Sequence, residues 1–119
     1  MDKWQALYDF FSQFLPAYEE NSVPDDAPYP RITYEARTGG FDDIVPITAS
    51  VWDKGTSWEN VDSVVNSIET AVDNYRCPEI DGGRYRVYRG EPFAQRMKDP
   101  ESDLIRRTRL QINFEFLTV

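Results

Sequence analysis

A chain of 119 residues, 40% hydrophobic and 14% aromatic, is long enough for one core and too rich in aromatics for disorder. Its 21 acidic residues against 13 basic ones, formally −8, argue against binding to a phosphate backbone, an affinity that comes from Lys and Arg displacing counterions. Histidine is absent and Cys77 is the only cysteine, which excludes a Cys–His pair, an internal disulfide, the commonest metal ligand and the usual general base near neutral pH.

The excess of acid suits solubility, a surface that must not hold DNA, or a basic partner. No apolar run reaches the roughly 18 to 20 residues of a membrane span, and no basic region followed by an apolar stretch opens the chain. The expectation is one domain over residues 1–119, made and kept in a cytoplasm, with no membrane and no cofactor.

In chain order, Trp4, Leu7, Tyr8, Phe11, Phe14 and Leu15 recur at steps of three and four, which predicts a helix with one aromatic face. Asp2 is placed to cap it and Pro16 to stop it. From Ala17 to Pro30 the chain carries Glu19, Glu20, Asp25 and Asp26 among Pro24, Pro28 and Pro30, and reads as a stiff extended arm. Ile32, Tyr34 and Ala36 then alternate with Arg31, Thr33, Glu35 and Arg37, the period of a half-buried strand. A second strand follows from Ile44 to Trp52, so a hairpin is expected with a mobile tip at Thr38 to Asp43.

Thr56 with Glu59 suggests a capping box ahead of a second helix, in which Trp58, Val61, Val64, Val65, Ile68, Ala71, Val72 and Tyr75 form an apolar stripe. Pro78 ends it. Tyr85 and Val87 alternate with Arg84, Arg86 and Tyr88 in a third strand, and Gly90 to Pro100 reads as a loop. The last strand sets Leu110, Ile112, Phe114 and Phe116 against Arg109, Gln111, Asn113 and Glu115. The fold class expected is α+β, in the order α-β-β-α-β-β, with two helices on a mostly antiparallel sheet of about four strands.

No catalytic pattern emerges. Asp25–Asp26 and Asp42–Asp43 have no EF-hand spacing, Gly39–Gly40 and Gly82–Gly83 are turn glycines, and the serines have no histidine base. Arg84, Arg86 and Arg89, and Arg106, Arg107 and Arg109, form two basic groups, better read as solvated faces or subunit contacts than as a DNA site. The chain does not read as an enzyme. Phe41 at the hairpin tip and Phe93 in the long loop are apolar where a monomer rarely exposes such residues. With Asp42, Asp43, Glu91 and Arg96 they are the candidate subunit-interface residues, the alternative being that both rings fold back onto the core.

Several stretches carry a family likeness. Pro28-Tyr29-Pro30-Arg31-Ile32-Thr33-Tyr34-Glu35 resembles the first strand of small tail proteins of long-tailed bacteriophages, and Ile47-Thr48-Ala49-Ser50-Val51-Trp52 with Thr56-Ser57-Trp58 is similar to their second strand and central helix. Gly90-Glu91-Pro92-Phe93-Ala94-Gln95-Arg96-Met97 and Asp103-Leu104-Ile105-Arg106-Arg107 resemble their loop and final strand. The resemblance spans Phe10 to Phe116 and rests on structural motifs. It implies a tail terminator, or tail completion protein: a homo-oligomeric, hexameric ring at the head-proximal end of the virion tail, assembled in the host cytoplasm. Such a ring halts the tail tube, meets the head–tail connector and lets genomic DNA pass without specific binding. A neck protein, stopper or adaptor, is the alternative within the same resemblance. An acidic DNA-mimic inhibitor is the alternative from another class.

Overall fold

The chain folds as α1 (Lys3–Ser12), β1 (Ala17–Glu19), β2 (Arg31–Tyr34), β3 (Ile44–Lys54), α2 (Glu59–Asn74), β4 (Glu79–Ile80), β5 (Gly83–Lys98) and β6 (Ile105–Thr118). The structure, a computed structural model, describes residues 1–74 and 76–118; Tyr75, expected on the apolar stripe of the second helix, lies outside them. The strands form one six-stranded sheet in the order β1-β2-β3-β6-β5-β4. β1 runs parallel to β2 and every other neighbouring pair is antiparallel.

This overturns the expected four-stranded antiparallel sheet: the sheet is six-stranded and mixed, and the element order is α-β-β-β-α-β-β-β. Two of the differences are short edge strands that side-chain periodicity cannot announce. β1 lies at the start of the extended arm and pairs Ala17 with Ile32. β4 is two residues long and pairs Ile80 with Gly83. The expected loop at Gly90–Pro100 is strand as far as Lys98. A register shift between Arg89 and Ala94 breaks the alternation there, after which β5 pairs with β6 again.

The central strand β6 sets the two faces. Thr108, Leu110, Ile112, Phe114 and Phe116 are buried, and the register places them beside Val51, Ala49, Ile47 and Val45 of β3 and beside Val87 and Tyr85 of β5. Both helices pack on this side. Phe11 of α1 stacks on Tyr34 at 5.0 Å between ring centroids, and Phe10 meets Phe114 edge-on at 5.6 Å. Val61, Ile68 and Val72 are the buried residues of α2, with Trp58, Val64 and Val65 half-buried against the same core.

Asp2 caps α1 as expected: its carboxylate accepts from the Gln5 backbone N–H at 2.8 Å, and Gln5 Oε1 accepts from the Asp2 N–H. The buried face of α1 differs from the expected one. Ala6, Leu7, Phe10 and Phe11 are buried, whereas Trp4 and Tyr8 are 53% and 54% exposed. Aromatic residues lie around most of this helix, so hydrophobicity alone does not choose a side. At the start of α2, Ser57 rather than Thr56 supplies the side-chain acceptor, 3.1 Å from the Glu59 N–H.

The arm wraps its own domain. Ala27 is buried, and its carbonyl accepts from Arg31 Nη1 at 2.9 Å. The tip of the β2–β3 connection is also tied down. The backbone N–H of Asp42 donates to the Phe116 carbonyl, Phe116 N–H donates to the Asp43 carbonyl, and Asp43 Oδ2 accepts from Gly40 N–H at 3.1 Å. Asp42 takes φ 68, the only positive φ at a non-glycine residue among those described.

Candidate functional site

The six interface candidates fall in two places. Phe41, Asp42 and Asp43 lie at the end of the sheet where β3 begins. The Phe41 ring is half-buried against the core, with Lys3 Nζ 4.1 Å above its centroid. Asp42 and Asp43 are exposed, and Thr118 Oγ1 donates to the Asp42 carboxylate at 3.2 Å. The other group lines β5 beside α2. Glu91 is exposed at the register shift, Phe93 packs half-buried against the core, and Arg96 bonds Asp62 at 2.8 Å with its guanidinium 4.5 Å from the Trp58 ring. Both phenylalanine rings therefore fold back onto the core, leaving Asp42, Asp43, Glu91 and Arg96 as the exposed candidates, with Arg96 already paired to Asp62.

Ion pairs between β5 and α2 occupy much of the acid on that helix. Arg89 bonds both Asp73 oxygens and lies 3.2 Å from Glu69. The hydrogen bond from Arg89 holds the Asp73 carboxyl below its ordinary pKa, and the same bond raises that of Arg89.

A different surface includes Arg107 and Arg109, expected from sequence only as part of a solvated face or subunit contact. With both helices on one side, the other side of the sheet is uncovered, and the register lays two rows of side chains across it. The first row is Arg31, Trp52, Arg107 and Met97; the second is Thr33, Ser50, Arg109 and Gln95. Arg107 stacks on Trp52 at 4.5 Å from the ring centroid, and its Nε donates to Ser50 Oγ at 3.0 Å. Trp52 Nε1 donates to Thr33 Oγ1 at 2.8 Å, and Arg109 bonds Gln95 Oε1 at 3.3 Å. Arg31 stacks on Tyr29 at 4.3 Å.

The arginines of the chain divide by ion pairing, and Arg76 and Arg106 also lie on the unpaired side among the described residues. Arg37, Arg84, Arg86, Arg89 and Arg96 each have a carboxylate partner, whereas Arg31, Arg107 and Arg109 have none among the described residues. Burial of the Arg107 guanidinium, followed by repulsion from Arg109, lowers its pKa from the ordinary value. Glu20 and Asp99 act on Arg107 from farther off, and Arg31 already donates to the Ala27 carbonyl and the Tyr29 hydroxyl, so Arg107 and Arg109 beside Trp52 are the groups that can take carboxylate or phosphate oxygens. One signal was visible in sequence, the alternation that puts Arg107 and Arg109 on one side of a strand. That Arg31 and Trp52 join them depends on pairings between distant segments.

Two hollows lie elsewhere on the surface. A cleft of about 480 Å³ near the β5–β6 turn is lined by Trp58, Arg96, Met97, Asp103 and Arg106. An open groove of about 380 Å³ between α1 and β1 is lined by Trp4, Tyr8, Tyr18 and Tyr34. Burial, then the charges of Glu19 and Tyr8, push the Tyr34 hydroxyl up to about 12, so it stays protonated near neutral pH. Among the described residues no group of His, Cys, Asp and Glu is arranged to hold a metal ion, and no helix is long and apolar enough to cross a membrane. Comparison of the chain with protein-family models and with curated proteins found no match in either.

Proposed function

We propose that this chain is a structural protein of a phage virion, a tail terminator whose closed ring caps the tail tube and joins it to the head connector. The observation that supports this reading beyond the sequence resemblance is the uncovered sheet face. An acidic protein that gathers around Trp52 three arginines with no ion-pair partner among the described residues has two unlike surfaces, and unlike surfaces make the heterologous contacts that close into rings. On this reading the ring is hexameric, sits at the head-proximal end of the tail, and presents carboxylates to passing DNA. The DNA-mimic reading is weaker, because Asp62, Glu69 and Asp73 on α2 are neutralised by Arg96 and Arg89 rather than presented like phosphates.

The test is electron microscopy of lysates from the parent phage with this gene deleted. Overlong or uneven tails beside unjoined full heads are expected. Tails of normal length beside heads that have lost their DNA would move the assignment to a neck protein, and intact virions would refute the structural role.

A further inference from the structure

The sheet face and the tip of the β2–β3 connection have opposite charge and lie at opposite ends of β3. We infer that the Asp42–Asp43 tip of one copy docks on the Arg31–Trp52–Arg107–Arg109 patch of a second copy, head to tail. This deepens the ring reading and rests on it for its biological meaning.

Three observations carry the assignment. Among the described residues Arg107 and Arg109 have no carboxylate within ion-pair distance, although Glu20 and Asp99 act on Arg107 from farther off, and a chain with 21 acidic residues can supply the closer partner. The tip presents its two carboxylates on a fixed backbone. Asp42 N–H and the Asp43 carbonyl extend the ladder with Phe116, Thr118 holds the Asp42 carboxylate, and Gly40 N–H holds that of Asp43. Asp42 also keeps a left-handed backbone, φ 68, a conformation that tends to persist at functional turns when the surroundings enforce it.

The geometry makes the contact intermolecular. Asp43 precedes Ile44, whereas Trp52 lies near the other end of β3, roughly 30 Å away at about 3.3 Å per residue, so one copy cannot satisfy its own patch with its own tip. A surface that meets a different surface on the next copy propagates by rotation. Trp52, half-buried under Arg107, supplies the apolar floor, and the arginine forks supply direction.

The experiment uses two charge-reversed proteins, Asp42→Lys with Asp43→Lys and Arg107→Glu with Arg109→Glu, each checked for native circular dichroism. Native mass spectrometry and sedimentation velocity at low and high salt read the association state. Expected is a wild-type oligomer that weakens with salt, each variant monomeric, and recovery of the oligomer when the two variants are mixed in equal amounts. In that mixture every reversed tip meets a reversed patch, an outcome that damaged folding cannot produce.

A wild type that stays monomeric at low salt overturns the inference. So does an oligomer untouched by either variant, which would leave a ring standing on some other contact. Monomeric variants that fail to recover on mixing would also overturn the pairing. Fluorescent duplex DNA is the final probe. Binding by the wild type that is lost with Arg107→Glu and Arg109→Glu, without any oligomer, would reassign the patch to nucleic acid. Failure of the terminator role itself shows separately, in the tails of the deleted phage.

Discussion

Thr108 sits in the middle of the helix-covered face, 4% exposed, and its hydroxyl has no hydrogen-bond partner among the described residues. A buried hydroxyl left unsatisfied costs about 1–3 kcal/mol, so Thr108→Val is expected to stabilise the protein by about 1 kcal/mol, read as a higher denaturation midpoint. Phe41 behaves in the opposite sense. Its ring packs on the core beneath Lys3, and Phe41→Asp is expected to cost about 2–4 kcal/mol in chemical denaturation by opening a cavity and burying a charge. A monomer of unchanged stability would show that the ring is dispensable to the core. At this scale the sequence announced the buried alternation of Leu110, Ile112, Phe114 and Phe116, because each is apolar between polar neighbours. It did not announce which of Trp4, Tyr8, Phe10 and Phe11 goes inward, since a helix with aromatics on several sides is oriented by the surface it meets.

Among the elements, α2 and β6 were the most legible, because their periods run long enough to outvote local exceptions. β1 and β4 were not, since strands of three and two residues are held by backbone pairing rather than by any side-chain pattern. The second half of β5 was hidden by Gly90, Pro92 and the register shift, which together imitate a loop. Gly90 tests that strand. A Cβ there would lie 2.6 Å from Gln111 Cβ and 2.8 Å from the Gln111 carbonyl oxygen, so Gly90→Ala is expected to cost about 1–3 kcal/mol, measured by thermal melting. The docking of α2 on β5 has a pH signature. Arg89 lowers the Asp73 pKa from 3.8, so the carboxyl contributes stability that is present above that value and is lost as pH falls through the lowered one. The melting temperatures of the wild type and Asp73→Asn should therefore differ near neutral pH and converge in strong acid. A constant difference across that range would mean that the loss is one of packing.

For the whole molecule, the candidate surface was the least legible part, because Arg31, Trp52 and Arg107 become neighbours only once β2, β3 and β6 are in register. Sequence composition spoke of net acidity, and the fold gathers Arg31, Arg107 and Arg109 on one face of the sheet. The sheet also ends in very short strands on both sides, β1 and β4, which leaves little open backbone for another chain to extend. In the proposed ring, contacts between copies would therefore use side chains on the broad surface. The alternation of β6 has an evolutionary consequence. Residues 108, 110, 112, 114 and 116 maintain the interior, while 107, 109, 111, 113 and 115 face outward from the same backbone. A lineage can rewrite the outward set to follow a changing neighbour while the inward set stays fixed. Two histories of selection can be recorded, residue by residue, on a single strand.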